Sequence, residues 1–398
     1  MISEKMYELG SQRSVIREIF EYGNQRKKEV GEENVYDFSL GNPSVPAPKA
    51  VNQAILDILN TEDEVAIHSY TSAQGSEECR SAMAKSLNQR FGTAFHANNF
   101  YMTVGAAASL SICLKAIASP EDEFITFAPF FPEYRCFVES AGGKLVVIPA
   151  KEDDFQIAFD LFEKAIHEKT KAIIINSPNN PAGTVYTEET LQKLVEILER
   201  KQKEYGHAIY LISDEPYREI VYDGYEVPFL TKYYANTFVC YSFSKALSLA
   251  GERIGYIIVP DEMEEAKKVY LAVCGAGRAL GYVCAPSLFQ KVVARCANEV
   301  SDLSIYKKNR DLLYEHLISL GFECVKPQGA FYLFPKALEE NAEAFCERAK
   351  KYDLLLVPGT GFGCPSHVRI SYCVTTKQIE KAMSAFEKLA EEYGYVRK

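Results

Sequence analysis

From about residue 100 the chain alternates short apolar runs with longer amphipathic stretches. The runs are FYMTV (100–104), EFITFA (123–128), KLVVIP (144–149), KAIIIN (171–176), AIYLIS (208–213), TFVCY (237–241) and GYIIVP (255–260). Each is short enough for a strand and too apolar to face water on either side. Helical patterns separate several of them, 187–204 (TEETLQKLVEILERKQKE) being the clearest, and another is expected at 261–273. Strands alternating with helices predict right-handed βαβ units, hence an α/β fold with a mostly parallel sheet covered on both faces.

The two ends read differently. Residues 1–35 form a polar arm with a helical stretch near 14–29, and LGNPSVPAP (40–48) is a turn-rich link. After 285 come a long helix-like stretch (about 286–320), GAFYLFP (329–335), a helix near 341–351, LLLVPG (354–359) and HVRISY (367–372). A final helix opens on Thr375 with Gln378 three residues on, a capping-box pattern. The expected organisation is an arm and part of a small domain (1–48), a large domain (49–285) and a smaller α/β domain (286–398).

Composition narrows the function. Of 398 residues, 47% are apolar and 25% charged, as in an ordinary globular enzyme. A net charge of −10 without a basic tract argues against nucleic acid and against an anionic membrane surface. The first residues mix charges throughout, and no run approaches the roughly 18 apolar residues of a membrane span, so the cytoplasm is expected. Eleven cysteines without a CxxC suit a reducing compartment. Six histidines without an HxxxH or a carboxylate cluster give no sign of a catalytic metal.

In a parallel sheet the carboxyl ends of the strands share one edge, and ligands bind there. The segments that follow five runs are VGAAAS (104–109), APFFPEY (128–134), SPNNPAG (177–183), DEPY (214–217) and SFSK (242–245). Topology therefore gathers aromatic rings, asparagines, acids, serines and one lysine. Gly105, Ala106 and Ala107 open a helix whose free N–H groups can hold an anion, with Ser242, Ser244 and Arg253 as further donors. The same small residues would also suit a tight helix–sheet contact.

SFSKALSLAGERIGY (242–256), SPNNPAG and DEPY together resemble three signatures of the fold-type I pyridoxal-phosphate enzymes, specifically the class I/II aminotransferases, in order and spacing. The likeness runs from LGNP near 40 to RISY near 369. It implies an aspartate aminotransferase-like fold: a large domain around a mostly parallel seven-stranded sheet, and a smaller α/β domain formed by both chain ends. It implies pyridoxal 5'-phosphate on Lys245, whose amine must lose its proton to form a Schiff base. It assigns Asp214 to the ring nitrogen, with Glu215 the local rival, and Tyr217 and Asn180 to the ring's 3' oxygen. Phe131 stacks on the ring, or else packs in the core. Gly105, Ala106, Ala107, Ser242, Ser244 and Arg253 hold the phosphate, through backbone groups where 106–108 lack the usual polar side chains.

Arg369 would fork to the substrate carboxylate, and Gly41 would belong to a segment that closes over the substrate. Tyr70 would reach a partner subunit's phosphate, making a homodimer with composite sites, or else be a core tyrosine. The expected reaction is transamination between an L-amino acid and a 2-oxo acid. A C–S β-lyase on the same cofactor is the alternative. A DNA-binding regulator would need a basic extension, and a nicotinamide dehydrogenase would need a GxGxxG after the first strand; the sequence has neither. Arg278, in CGAGRALGY, is expected in a glycine-rich loop. There it would select aspartate or glutamate, or else make an intersubunit ion pair.

Overall fold

The computed structural model describes residues 2–11 and 15–395. The eight strands before residue 260 are β1 Tyr36–Asp37, β2 Phe100–Thr103, β3 Glu123–Ala128, β4 Lys144–Pro149, β5 Thr170–Asn176, β6 Tyr210–Asp214, β7 Thr237–Ser242 and β8 Gly255–Ile258. Four short strands follow: β9 Tyr332–Leu333, β10 Leu354–Leu355, β11 Val357–Pro358 and β12 Val368–Ser371. Seven of them form one sheet in the order β2-β8-β7-β6-β5-β3-β4. Only β8 opposes its neighbours; every other pairing in that sheet is parallel. The mostly parallel α/β sheet expected from the apolar runs is therefore present, with all seven runs in it.

The sheet's alternation explains its coverage. On β5, Ala172 and Ile174 face the helix Ala106–Ile117 through Leu110, Cys113 and Leu114. Ile173 and Ile175 face the helix Glu188–Tyr205 through Leu191, Leu194 and Leu198. Each isoleucine fully removed from water contributes about 1.5–3 kcal/mol. Thr187 caps that second helix by accepting from the Thr190 N–H at 3.1 Å, and Gly206 ends it in the left-handed conformation at φ 71°.

The smaller part joins both chain ends. β1 pairs in parallel with β10, Tyr36 opposite Leu354, and β9, β12 and β11 form a separate antiparallel sheet. In this part the wholly buried Arg310 pairs with Asp223 at 2.7 Å and Asp311 at 2.6 Å, and donates to the Pro327 carbonyl.

Four expectations are revised. The stretch 286–320 is two helices, Ser287–Arg295 and Ser304–Ser319; the connection turns back so that the Ser301 N–H donates to the Ala246 carbonyl at 2.8 Å. The helix expected at 261–273 runs instead over Ala266–Leu280, so Arg278 lies in its last turn and not in a loop. Gly277 sits inside that helix because the Tyr101 hydroxyl occupies the space its Cβ would need. Thr375 caps the last helix, Thr376–Glu391, but Gln378 donates to the Asp37 carbonyl instead of reaching back to the cap. The arm's helical stretch is the helix Val15–Val30; its expected first residue, Ser14, lies outside the described residues. We propose the same three-part division, with the last boundary moved to about 300, because Val292, Val293 and Cys296 pack with Val51, Ile58 and Met83. Among the described residues no helix is long and apolar enough to cross a membrane, and no three His, Cys, Asp or Glu are grouped to hold a metal.

Candidate active site

The carboxyl ends of β2, β3, β5, β6 and β7 open on one cavity of about 320 Å³, with β9, β12 and the link at Leu40–Gly41 closing its other side. Among its buried members is Asp214, the last residue of β6. Asn176 at the end of β5 donates its side-chain amide to the Asp214 carbonyl at 2.8 Å, which pins the backbone. The Tyr134 hydroxyl donates to Asp214 Oδ2 at 2.6 Å. Oδ1 is buried and has no hydrogen-bond partner. Burial pushes this carboxyl up to about 7, the Tyr134 bond opposes the rise, and the Glu215 charge adds to it.

Glu215 is differently placed. It is buried but accepts from Ser213 Oγ at 2.6 Å and from Arg218 Nε at 2.6 Å, so both its oxygens are committed away from the cavity.

Lys245 follows from β7 through the short helix Phe243–Ala246. Its amine donates to the Gly41 carbonyl at 2.7 Å and lies 5.6 Å from the Phe331 ring centre. Burial lowers its pKa from 10.5 to about 8, and the charges of Arg253 and Arg369 push the same way against Cys373. A lysine so depressed makes its contribution to folding above about pH 10.5 and loses it as pH falls through 8.

One end of the cavity is a cup of donors. Gly105 has φ 97° and precedes the helix Ala106–Ile117, whose first N–H groups are free of intrahelical partners. A Cβ on Gly105 would stand 2.6 Å from Arg253 Nη2, so a side chain there would fill the cradle. Ala106, Ala107, Ser242, Ser244 and Arg253 line it. The tight-contact reading of these small residues also holds: a Cβ on Gly255 would lie 3.1 Å from Gly105 Cα, and Ser109 turns inward to Thr103 Oγ1 at 2.7 Å.

The opposite end is built around Arg369 on β12. Its Nη1 donates to Asn180 Oδ1 at 3.1 Å and its Nη2 to the Ser39 carbonyl at 2.5 Å, while buried Nε has no partner. The guanidinium lies between the Tyr332 and Phe362 rings, 4.8 and 5.0 Å from their centres. The Tyr217 hydroxyl is 2.9 Å from that of Tyr332, and Gly41 is packed so closely on the Tyr332 hydroxyl that a Cβ would overlap it. Phe131 lines the cavity wall and meets Tyr134 edge-on at 5.7 Å, so it faces both the cavity and the core.

The cavity thus gathers Gly41, Ala106, Ala107, Phe131, Asn180, Asp214, Tyr217, Ser242, Ser244, Lys245, Arg253 and Arg369, with Gly105 against Arg253. Two expected residues lie elsewhere. Tyr70 is 94% exposed, which removes the core reading, and Arg278 is exposed on its helix. The segments that carry them are linked through 282–284: the Cys284 N–H donates to the Ala73 carbonyl, and the Tyr282 N–H to that of Gly277. Sequence reasoning missed Asn176, Tyr134 and Tyr332, and also Ile16 and Arg17 of the arm, which line the cavity. A polar residue ending an apolar run was the available signal for Asn176.

The family described as aminotransferase class I and II matches residues 33–386. The chain is 29% identical over 392 residues to aromatic-amino-acid aminotransferase 2 of Thermococcus litoralis, covering 95% of this chain and 96% of that protein. It is 31% identical over 373 residues to the aspartate aminotransferase of Thermotoga maritima, covering 89% and 91%. A crystal structure of an amino transferase from Eubacterium rectale superposes with a TM-score of 0.97 at 60% identity, over 99% of both chains.

The lysine's environment is open to direct test. In the ligand-free protein, acylation of Lys245 by a small reagent, followed by peptide mass spectrometry against pH, should show a midpoint near 8. A midpoint at 10.5, the ordinary lysine value, would mean that the amine is solvated.

Proposed function

The chain belongs to the class I and II aminotransferases and transfers amino groups between amino acids and 2-oxo acids; we propose that it does so on pyridoxal 5'-phosphate held in the cavity around Lys245. The observation that carries this is Asp214 Oδ1, a buried carboxylate oxygen without a partner in the same cavity as a lysine of depressed pKa. The donor set fits the cofactor at both ends: a free carboxylate oxygen suits a protonated ring nitrogen, and the cradle of Gly105 and Arg253 suits a phosphate. When bound, this cofactor supplies an electrophilic carbon for an amine and a ring that accepts the electron pair left at the substrate's α-carbon.

The chain's own residues do the rest. Asp214 keeps the ring nitrogen protonated, while Tyr217 and Asn180 donate to the ring's oxygen. Phe131 covers the ring face. Arg253, Ser242, Ser244 and the N–H groups at 105–107 neutralise the phosphate. Lys245 holds the cofactor and, once released, carries the α-proton. Arg369 forks to the substrate carboxylate, and the segment at Gly41 closes over it. No observation favours the C–S β-lyase reading, and the relatives are named aminotransferases.

Tyr70, Val65, Leu271, Tyr282 and Val283 are exposed apolar or aromatic side chains that suit contact with a second copy of the chain. In such a homodimer Tyr70 reaches the partner's phosphate and Arg278 its substrate side chain. We assign the assembly to the cytoplasm, where scattered cysteines stay reduced. An arginine at the side-chain end favours dicarboxylic donors, aspartate or glutamate.

Borohydride reduction of the loaded enzyme, followed by peptide mapping, should place the cofactor on Lys245. Attachment elsewhere would remove Lys245 from the reaction.

Arg278→Leu should lower kcat/KM for aspartate by about tenfold or more, the scale of a lost charged hydrogen bond, and leave tyrosine and leucine as donors nearly unchanged. An equal fall for all three would make Arg278 structural.

A further inference from the structure

Tyr332 was not expected in the site, yet it touches three of its working parts. It lies on β9, 2% exposed, and is held by pairing with Ser371 of β12. Its hydroxyl is 2.9 Å from that of Tyr217. Gly41, whose carbonyl receives the Lys245 amine at 2.7 Å, packs directly on the same hydroxyl. Its ring carries the Arg369 guanidinium at 4.8 Å.

Two hydroxyls at 2.9 Å share one proton between them, and the direction matters. If Tyr217 donates to Tyr332, its proton is spent and it has none for the cavity. If Tyr332 donates, the Tyr217 proton is free, and a phenol that accepts one hydrogen bond becomes a stronger donor of another. An anionic oxygen in the cavity selects the second arrangement, because charge-assisted bonds are the stronger ones. The rings leave Tyr332 no closer acceptor: the Tyr217 oxygen is its one hydrogen-bond partner among the described residues.

Building on the cofactor assignment above, we propose that Tyr332 is a positioning residue for transamination: its hydroxyl donates to the Tyr217 oxygen and so aims the Tyr217 proton at the ring oxygen of the cofactor, while its ring holds Arg369 for the substrate carboxylate. The two halves of the side chain serve different partners. They can therefore be separated by substitution.

A donor on the ring oxygen stabilises negative charge there, and this favours loss of the proton on the neighbouring Lys245 nitrogen. Removing the donor must raise the pH midpoint of the visible absorbance of the loaded enzyme. Tyr332→Phe keeps the ring and removes only the hydroxyl. It should raise that midpoint by about half to one pH unit, the equivalent of one neutral hydrogen bond. kcat should fall about three- to tenfold on the same scale, with KM for the amino acid changed less than about twofold. In a Tyr217→Phe background, adding Tyr332→Phe should move the midpoint no further, because the path through Tyr217 is gone. Replacing Tyr332 with a fluorinated tyrosine, a stronger donor of nearly the same shape, should lower the midpoint and keeps the test open if the phenylalanine variant folds poorly. An unmoved midpoint in the single variant, or an equal shift in both backgrounds, overturns the inference. A wild-type enzyme without a titrating visible band would instead overturn the cofactor assignment on which it rests.

Discussion

Asp214 is a carboxylate held away from water with one oxygen bound to Tyr134 and the other bound to nothing. A buried charge is costly unless it is paired, so burial pushes this carboxyl up to about 7. The fold gives it no retreat. It ends a strand flanked in parallel on both sides, opposite Asn176 on β5 and Cys240 on β7, and the Asn176 amide fixes its carbonyl. A cation placed in the cavity would complete the pair and restore the charge. The chain therefore carries a local imbalance that a cation bound in the cavity would relieve.

The remaining groups depend on the same sheet edge and on its link to the smaller part. Lys245 leaves β7, which lies beside the strand of Asp214, and is held by the Gly41 carbonyl until a ligand competes for it. Arg369 enters the cavity from β12 and is held there by donating its two terminal nitrogens to the Ser39 carbonyl and to Asn180 Oδ1. Behind DEPY the chain runs on to Tyr222 and Asp223, where buried Arg310 clamps it to the helix Ser304–Ser319. The segment from Asp214 through Tyr217 to Asp223 is thus tied at one end to the sheet and at the other to the smaller part.

Much of this was legible in the sequence, for physical reasons. A parallel strand is buried on both faces, so its apolar run stands out, and residues just past such runs must share an edge; the sequence alone thereby groups Asp214, Asn180 and Lys245. Tyr332 was hidden because GAFYLFP reads only as an apolar strand, and the sequence does not say which of its aromatic hydroxyls will find a partner. Tyr134 stood in a quoted segment, but its bond to Asp214 depends on how the helix Glu133–Ala141 docks. The break at 296–303 and the extension of the helix past 273 were decided by contacts distant in sequence, Ser301 to Ala246 and Gly277 to Tyr101, which override local pattern.

On the function we propose, Asp214, and not its neighbour Glu215, serves the ring nitrogen. The most direct measurement is kcat per cofactor-loaded site for Asp214→Asn and Glu215→Gln side by side. Loss of a charge-assisted bond that matters only to the chemistry should cost Asp214→Asn about a hundredfold or more, while Glu215→Gln, whose carboxylate is committed to Arg218 and Ser213, stays near the parent rate per loaded site. A Glu215 variant more damaged than the Asp214 variant would contradict the account.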